Sequence, residues 1–311
     1  MRPPGAPMIL RSSLLFLSRR KALRHWMETS ALVRPLTARF VAGQTLEEAL
    51  GVCGRLQRDG IMITLDRLGE NVTSLEEAEA SRDGYIEALR RITDLGLEGS
   101  VSIKLTQFGL DLSEEACLSN AGRLAQEARK LGKVVEIDME SSDYVDRTLR
   151  VVAEMHKSSG NVRSVIQAYL HRSGEDVERL CSLEVPVRLC KGAYREPASV
   201  AFHRKSDVDR NYVRLMKILL ERGNYPALAT HDQRIIGEAQ RFAAASGIGK
   251  DRFEFQMLYG IRRDLERRFV AEGYRLRLYV PYGQAWYPYF MRRLAERPAN
   301  LLFLMRNLVR G

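Results

Sequence analysis

Short apolar runs alternate with longer, charged stretches along most of this 311-residue chain. The runs are rich in β-branched and aromatic residues and have the length of typical strands. Eight of them occur: IMITL (61–65), SVSIKL (100–105), VVEIDM (134–139), SVIQAYL (164–170), VPVRLC (185–190), YPALAT (225–230), RFEFQML (252–258) and RLRLYV (275–280). The pattern therefore predicts eight β-strands.

The segments between the runs have the pattern of amphipathic helices. In TSLEEAEASRDGYIEALRRITDLG and SEEACLSNAGRLAQEARKLG, apolar residues recur at helical spacing, Ser or Thr precedes Glu at the start, and Gly stands at the end. Strands that alternate with helices predict parallel βαβ units, and eight units predict an α/β fold of the (βα)8 TIM barrel type. An open doubly wound sheet is the alternative, but the GxGxxG motif typical of its nucleotide sites is absent.

The chain is predicted to form one catalytic domain with a helical extension. Residues 1–50 are expected to form an N-terminal helical arm, and residues 51–311 the barrel with a C-terminal helix that carries Arg292 and Arg293. The segment MILRSSLLFLSRRKALRHW is rich in Arg and Ser and poor in acids, as transit peptides are. We favour an amphipathic helix packed on the barrel, because LLFL is too short for a signal sequence and no cleavage pattern follows.

The net charge and the residue composition restrict the classes of molecule that the protein is expected to bind. The formal net charge of +10 is compatible with nucleic acid, an anionic membrane surface or acidic small molecules. Nucleic acid is not predicted, because the sequence has no zinc-finger spacing, RNP motif or basic tail. The four cysteines form no CxxC and the five histidines have no metal-ligand spacing, which predicts reduced thiols and no metal site. No apolar run reaches transmembrane length.

Polar residues interrupt the ends of successive predicted strands, where barrel enzymes carry their chemistry. Buried ions cost several kcal/mol unless they are paired, so these charges predict one polar site at the barrel mouth. Cations outnumber acids there, which favours a carboxylate or phosphate ligand. The residues are Lys104, Glu136, Asp138, Gln167, Arg188, Lys191, Thr230, His231, Gln256 and Tyr279.

Two short motifs at strand ends suit phosphate or hydroxyl contacts. In KGAY, Gly192 stands beside Lys191, and such a glycine lets the backbone approach a phosphate closely. In ATHD, Thr230 and His231 follow the sixth run. Either motif alone is a weak signal.

Six longer stretches carry a family resemblance: KLTQFGLDL, EIDMES, RLCKGAYREP, ALATHD, FEFQMLYGIR and LYVPYGQAWYPYFMRRLAERPANL. Together, from about residue 40 to the C-terminus, they resemble the monofunctional bacterial proline dehydrogenases. The resemblance implies a distorted (βα)8 barrel that holds FAD non-covalently. It implies oxidation of L-proline to Δ1-pyrroline-5-carboxylate, the first step of proline catabolism to glutamate, with hydride passing from proline C5 to flavin N5. Electrons would go to a membrane quinone, from a cytoplasmic enzyme in reversible, peripheral contact with the inner face of the cytoplasmic membrane.

The resemblance also implies roles for single residues. Asp138 and Arg188 would be catalytic, with Arg188 near flavin N5. Glu70 would pair with Arg292 as a gate over the substrate. Substrate contacts would come from Lys104, Tyr279, Arg292 and Arg293, and flavin contacts from Met139, Gln167, Arg188, Lys191, Gly192, Ala193, Thr230 and His231.

The sequence leaves several alternatives open. The base that deprotonates the proline amine is unassigned between Lys104 and Asp138. Tyr279 is expected to crowd a ring hydroxyl, which does not settle proline against hydroxyproline. Cys190 stands where an aliphatic residue is expected, and we interpret it as packing. The competing functions are a flavin-free lyase or aldolase with Lys104 or Lys191 as a Schiff-base nucleophile, and a basic membrane- or nucleic-acid-binding protein.

Overall fold

Eight parallel strands close into a barrel, in which each strand pairs with its neighbour in sequence and the last pairs with the first. The computed structural model describes residues 37–69 and 72–296, without the side chains of Arg292 and residues 294–296. The prediction of a (βα)8 barrel is confirmed. The strands are β1 (Met62–Arg67), β2 (Gly99–Ile103), β3 (Val135–Ile137), β4 (Val162–Gln167), β5 (Val187–Cys190), β6 (Ala227–Ala229), β7 (Glu254–Leu258) and β8 (Leu276–Tyr282).

Helices surround the barrel, and their starts agree with the capping signals in the sequence. Ser74 and Ser113 accept hydrogen bonds from the backbone N–H groups of Glu77 and Ala116, which stabilises two helix N-termini. The helices are α1 (Leu46–Arg58), α2 (Leu75–Asp94), α3 (Glu114–Lys130), α4 (Val145–Ser159), α5 (Ser173–Ser182), α6 (Lys205–Arg222), α7 (Gln233–Ala245), α8 (Arg263–Ala271) and α9 (Trp286–Glu296).

Four strands (β2, β3, β4 and β6) end before the predicted residue, and two of these early ends place polar residues in the loops of the barrel mouth. The run VVEIDM predicts a strand to residue 139, but β3 ends at Ile137. The Asp138 N–H still donates to the Ile103 carbonyl at 2.8 Å, so the chain leaves β3 without leaving the barrel. Similarly, β6 ends at Ala229, one residue before Thr230. Asp138 and Thr230 therefore belong to the loops of the carboxyl end.

The interior of the barrel contains charged side chains as well as apolar ones. Arg163 Nη1 lies 2.6 Å from Glu254 Oε1 and 3.2 Å from Glu136 Oε1, and Arg277 Nε lies 2.9 Å from Glu254 Oε1. Burial alone would raise the pKa of Glu254, but Arg163 and Arg277 outweigh it and hold that pKa well below its usual range. The sequence analysis named Glu136 but predicted none of these pairings, because the paired residues are far apart along the chain.

A second apolar cluster lies beside the main core and joins the two ends of the described chain. Phe40 contacts Phe290 of α9 edge to face, with ring centroids 6.0 Å apart, and Trp286 lies 5.8 Å from the same ring. The Ala42 N–H donates to the Pro281 carbonyl at the end of β8. The residues before α1 are thereby fastened to the helix that follows β8.

The proposed N-terminal arm lies mostly outside the described residues, because residues 1–36 are not part of them. Helix α1 spans the predicted boundary at residue 50 and buries Ala49, Leu50 and Cys53 in the barrel core. The arm remains a prediction.

Neither a membrane span nor a metal cluster is found in the described residues between 37 and 296. None of the helices there combines the length and hydrophobicity that a membrane crossing requires. No group of three or more potential metal ligands occurs among the same residues.

Glu266 in α8 predicts a pH-dependent loss of stability. Its side chain is 7% exposed, its Oε1 atom has no hydrogen-bond partner among the described residues, and burial raises its pKa from 4.5 to about 7. Between these values the folded protein keeps a proton that the unfolded chain releases, so stability falls as the pH rises. Glu266→Gln replaces the titrating carboxyl with an amide that is neutral at every pH. It is therefore expected to raise the Tm at about pH 8 more than at about pH 5.

Thermal unfolding at both pH values checks this expectation. The matched control is Glu154→Gln on the exposed surface of α4, which is expected to change the Tm little at either pH. An equal Tm change for Glu266→Gln at both pH values would contradict a titrating Glu266.

Candidate active site

A cavity of about 880 Å³ opens at the carboxyl end of the barrel. Its volume is near the upper end of the range for small-molecule and cofactor sites. Glu70 lies outside the described residues, and so does the side chain of Arg292. The cavity brings together all the other predicted site residues: Lys104, Asp138, Met139, Gln167, Arg188, Lys191, Gly192, Ala193, Thr230, His231, Tyr279 and Arg293.

Asp138 is the acidic centre of the cavity wall. Its carboxylate accepts hydrogen bonds from Ser102 Oγ at 2.7 Å and Tyr279 Oη at 2.8 Å, and it forms ion pairs with Arg188 and Lys104. Burial would raise the pKa of Asp138, but the charges of Arg188 and Lys104 outweigh burial and lower it. Asp138 is therefore ionised at neutral pH and is a poor proton acceptor.

Arg188 of β5 bridges two acids, Glu136 of β3 and Asp138 of the loop that follows β3. Its Nη1 atom donates to Glu136 Oε2 at 2.9 Å, and its Nη2 atom donates to Asp138 Oδ1. The guanidinium also lies over the ring of Tyr279, 5.3 Å from the centroid. Burial would lower the pKa of Arg188, but Asp138 and Glu136 raise it above its ordinary value. The cavity thus has a permanent, rigidly held positive charge on its wall.

Lys104 lies between two carboxylates. Its Nζ atom is 3.4 Å from Asp138 Oδ2 and 3.5 Å from Asp66 Oδ1. Asp66 follows the apolar part of β1, is 1% exposed and lines the cavity. The sequence analysis missed Asp66, although the run IMITLD places an acid at a strand end in the same way as EIDM.

The loop after β5 holds a second ion-paired lysine. Lys191 Nζ donates to Asp209 Oδ1 at 2.5 Å and to Asp232 Oδ2 at 2.9 Å. Burial would raise the pKa of Asp232, but Lys191 lowers it to about 2. Asp232 also accepts a hydrogen bond from the Arg234 N–H and so caps the N-terminus of α7. Lys191 is therefore fixed between α6 and α7.

Gly192 follows Lys191 in a conformation that other residues rarely adopt. Its φ is +105°, and a Cβ at this position would overlap the ring of Tyr169. The Tyr169 ring has little room to move, because it is buried and its hydroxyl bonds Glu196. Both the backbone conformation and the packing thus require glycine.

His231 is anchored to the neighbouring strand. The Leu258 N–H donates to His231 Nε2 at 3.0 Å, so that nitrogen is an acceptor and the neutral ring carries its hydrogen on Nδ1.

Gln167, at the end of β4, presents an unused acceptor to the cavity. Its Nε2 atom donates to the Met139 carbonyl at 3.3 Å, while its buried Oε1 atom has no hydrogen-bond partner in the described part of the chain. A buried acceptor without a protein partner is suited to an N–H or O–H donor of a bound ligand.

Helix α9 lies over the mouth and brings Arg293 to the cavity. The Arg293 guanidinium lies over the ring of Tyr289, 5.2 Å from the centroid, and both residues line the cavity. Arg262, from another of the chain's arginine doublets, also lines it, with its guanidinium 2.7 Å from Asp264. The sequence analysis missed Arg262, because no motif singled it out.

Comparison with known proteins gives consistent results. The family model described as "Proline dehydrogenase" matches residues 49–306. Proline dehydrogenase 1 of Bacillus subtilis (strain 168) is 41% identical over 302 residues, which cover 97% of this chain and 100% of the relative. Proline dehydrogenase of Deinococcus radiodurans is 44% identical over 281 residues, which cover 89% of this chain and 91% of the relative.

Among solved structures, a similar one is proline utilization A (PutA) from Bdellovibrio bacteriovorus inactivated by N-propargylglycine. The TM-score is 0.81 at 27% identity. The match covers 93% of this chain but only 36% of that one, so the present chain corresponds to about a third of the PutA chain.

Gly192→Ala is expected to destabilise the protein strongly. A positive φ costs a non-glycine residue about 1 to 3 kcal/mol, and the clash with Tyr169 adds to this cost. Gly247→Ala is the matched control, because Gly247 also has a positive φ (+67°). A methyl group at Gly247 would have no neighbouring atom within 4 Å. Urea unfolding of both variants measures the difference, and equal losses of stability would show that the packing against Tyr169 is unimportant.

Proposed function

Because the chain belongs to the proline dehydrogenase family, we propose that it oxidises L-proline to Δ1-pyrroline-5-carboxylate with FAD as cofactor and a membrane quinone as electron acceptor. Proline dehydrogenation is the first step of proline catabolism. The observation that carries the proposal is the cavity that Lys104, Asp138, Arg188 and Arg293 line together. It offers cations to a carboxylate and is large enough for a cofactor beside a small amino acid.

The residues present fit a flavin. FAD would be held by Met139, Gln167, Arg188, Lys191, Gly192, Ala193, Thr230 and His231. The unpartnered Gln167 Oε1 suits a ring N–H, and the ion-paired Lys191 beside a glycine with positive φ suits a phosphate. When bound, FAD would supply the two-electron acceptor for the hydride that leaves proline C5.

Lys104 and Arg293 would bind the proline carboxylate, together with Arg292. Arginine binds carboxylates through two parallel hydrogen bonds, which fixes orientation as well as position. Tyr279 would pack against the proline ring, because its hydroxyl is already bonded to Asp138 and its ring is held over Arg188. Orientation of this kind accounts for a large part of the acceleration of reactions between bound groups.

Arg188 and Asp138 would act as the catalytic residues. Arg188 keeps a positive charge on the cavity wall, which favours negative charge that develops next to it during hydride loss from proline. Asp138 holds Arg188, Tyr279 and Lys104 in place as a carboxylate. Its lowered pKa disfavours Asp138 as the base that deprotonates the proline amine.

Three further elements of the proposal rest on the family alone. Glu70 and Arg292 would form the gate over bound proline. Quinone would accept the electrons, and the enzyme would be cytoplasmic and touch the inner face of the membrane reversibly. The net charge of +10 favours contact with anionic lipid.

The geometry disfavours a Schiff-base lyase. Lys104 and Lys191 are each ion-paired with two carboxylates. A Schiff-base lysine needs an Nζ atom that is free to attack a carbonyl, and these ion pairs occupy both amines.

Anaerobic addition of L-proline is expected to bleach the flavin absorption of the purified protein. The measurement is the visible spectrum before and after proline, with D-proline as the control. A protein that is purified without flavin and binds none when FAD is added would contradict the proposal, as would a bound flavin that L-proline leaves oxidised.

Arg293→Ala is expected to raise the KM for proline by about tenfold to 100-fold, because a charge-assisted pair with a carboxylate contributes about 1.5 to 3 kcal/mol. Flavin content should not change. Arg267→Ala, in the exposed doublet of α8, is the control and should leave KM at the wild-type value. Steady-state kinetics with equal KM values for both variants would exclude Arg293 as a carboxylate ligand.

A further inference from the structure

Glu136 supports Arg188 from behind the cavity wall. Glu136 and Asp138 are two residues apart and therefore project to the same side of the barrel. Asp138 lines the cavity, whereas Glu136 has 0% exposure and is not among the cavity-lining residues. The Arg188 guanidinium donates from Nη1 to Glu136 and from Nη2 to Asp138. One of its two ion pairs thus faces the ligand space and the other faces the barrel interior.

The carboxylate of Glu136 is itself fixed from several strands. Thr64 Oγ1 donates to its Oε1 at 3.1 Å, Arg163 Nη1 donates at 3.2 Å, and Gln256 Nε2 lies 3.2 and 3.3 Å from the two oxygens. These contacts come from β1, β4 and β7. Glu136 cannot rotate without breaking most of them, so its position is set by the closed barrel.

Glu136 also pairs with Arg163, but Arg188 does not need it merely as a counter-charge, because Asp138 already provides one. Burying further ions usually gains no stability over apolar side chains of similar volume. A carboxylate on each Nη atom, however, fixes the plane of the guanidinium as well as its distance from β3. Fixing the plane matters only if Arg188 must present its charge at a defined place on the cavity side.

We propose that Glu136 is a positioning residue for the reaction: it fixes the orientation of Arg188 and thereby the placement of positive charge next to the bound flavin. This inference rests on the proposed function. Glu136 touches neither substrate nor cofactor and acts only through Arg188. Loss of its charge weakens the contact that holds Arg188 Nη1 and leaves the guanidinium less neutralised.

The test compares Glu136→Gln with Glu254→Gln in the flavin-loaded enzyme. Both changes remove one buried carboxylate charge from the same network, but Glu254 contacts Arg163, Arg277 and Gln256 and makes no described contact with Arg188. We expect Glu136→Gln to lower kcat by about tenfold to 100-fold, as small misplacements of oriented groups do. We also expect it to raise the midpoint potential of the flavin, because a less neutralised Arg188 favours the reduced form.

Glu254→Gln should lower the Tm to a similar extent while leaving kcat within about threefold of wild type, since it leaves both Arg188 pairs intact. Equal changes of kcat and midpoint potential in the two variants would overturn the proposal, because the network would then be structural only. A wild-type enzyme that lacks flavin, or whose flavin proline does not bleach, would instead contradict the proposed function.

Glu136→Asp keeps the test decisive if Glu136→Gln does not fold. It preserves the charge balance of the barrel and withdraws the carboxylate from Arg188 by about one carbon–carbon bond. The proposal expects a lowered kcat in this variant too, with proline KM changed less than kcat. Wild-type values of both kcat and the flavin potential in Glu136→Asp would refute a positioning role.

Discussion

The pairing of Arg188 with Asp138 and Glu136 is the interaction on which the rest of the site depends. It joins β5 to β3 across the intervening β4, and it is possible only because the barrel closes around a shared interior. Asp138 in turn holds Tyr279 from β8 and faces Lys104 from the end of β2. A single carboxylate therefore orients side chains from three other strands, and its own ionisation is secured by the cations that it holds.

This arrangement extends through the barrel as an alternation of cations and acids, each in contact with the next. Its members are Arg277, Glu254, Arg163, Glu136, Arg188, Asp138, Lys104 and Asp66. The four positive and four negative charges balance. A barrel that presents several cations to an anionic ligand must supply each of them with a counter-ion, because an unpaired buried charge costs several kcal/mol. The charges inside the barrel therefore serve as counter-ions for the cations at its mouth.

A separate apolar cluster holds α9 over the mouth of the barrel. Residues 37–42 and α9 pack on each other through Phe40, Trp286 and Phe290, and this packing sets α9 across the cavity. Arg293 lines the cavity from this helix. Lys104, Asp138, Arg188 and Tyr279, by contrast, line the cavity from the strands and strand ends of the barrel.

The sequence by itself determined the eight strands, most helix starts and the polar residues that collect at the strand ends, because periodicity, capping and strand termination are local properties. Family motifs added predicted roles for Asp138, Arg188 and Lys191. Only the tertiary structure decided which charges meet: Tyr279 and Asp138 are 141 residues apart, and Arg163 and Glu254 are 91 apart. Asp209 and Arg262 carried no pattern that distinguished them from surface charges. Pairing across a barrel depends on how the strands close into the barrel and on their register. These bring distant residues together in space, but they produce no periodic pattern in the sequence.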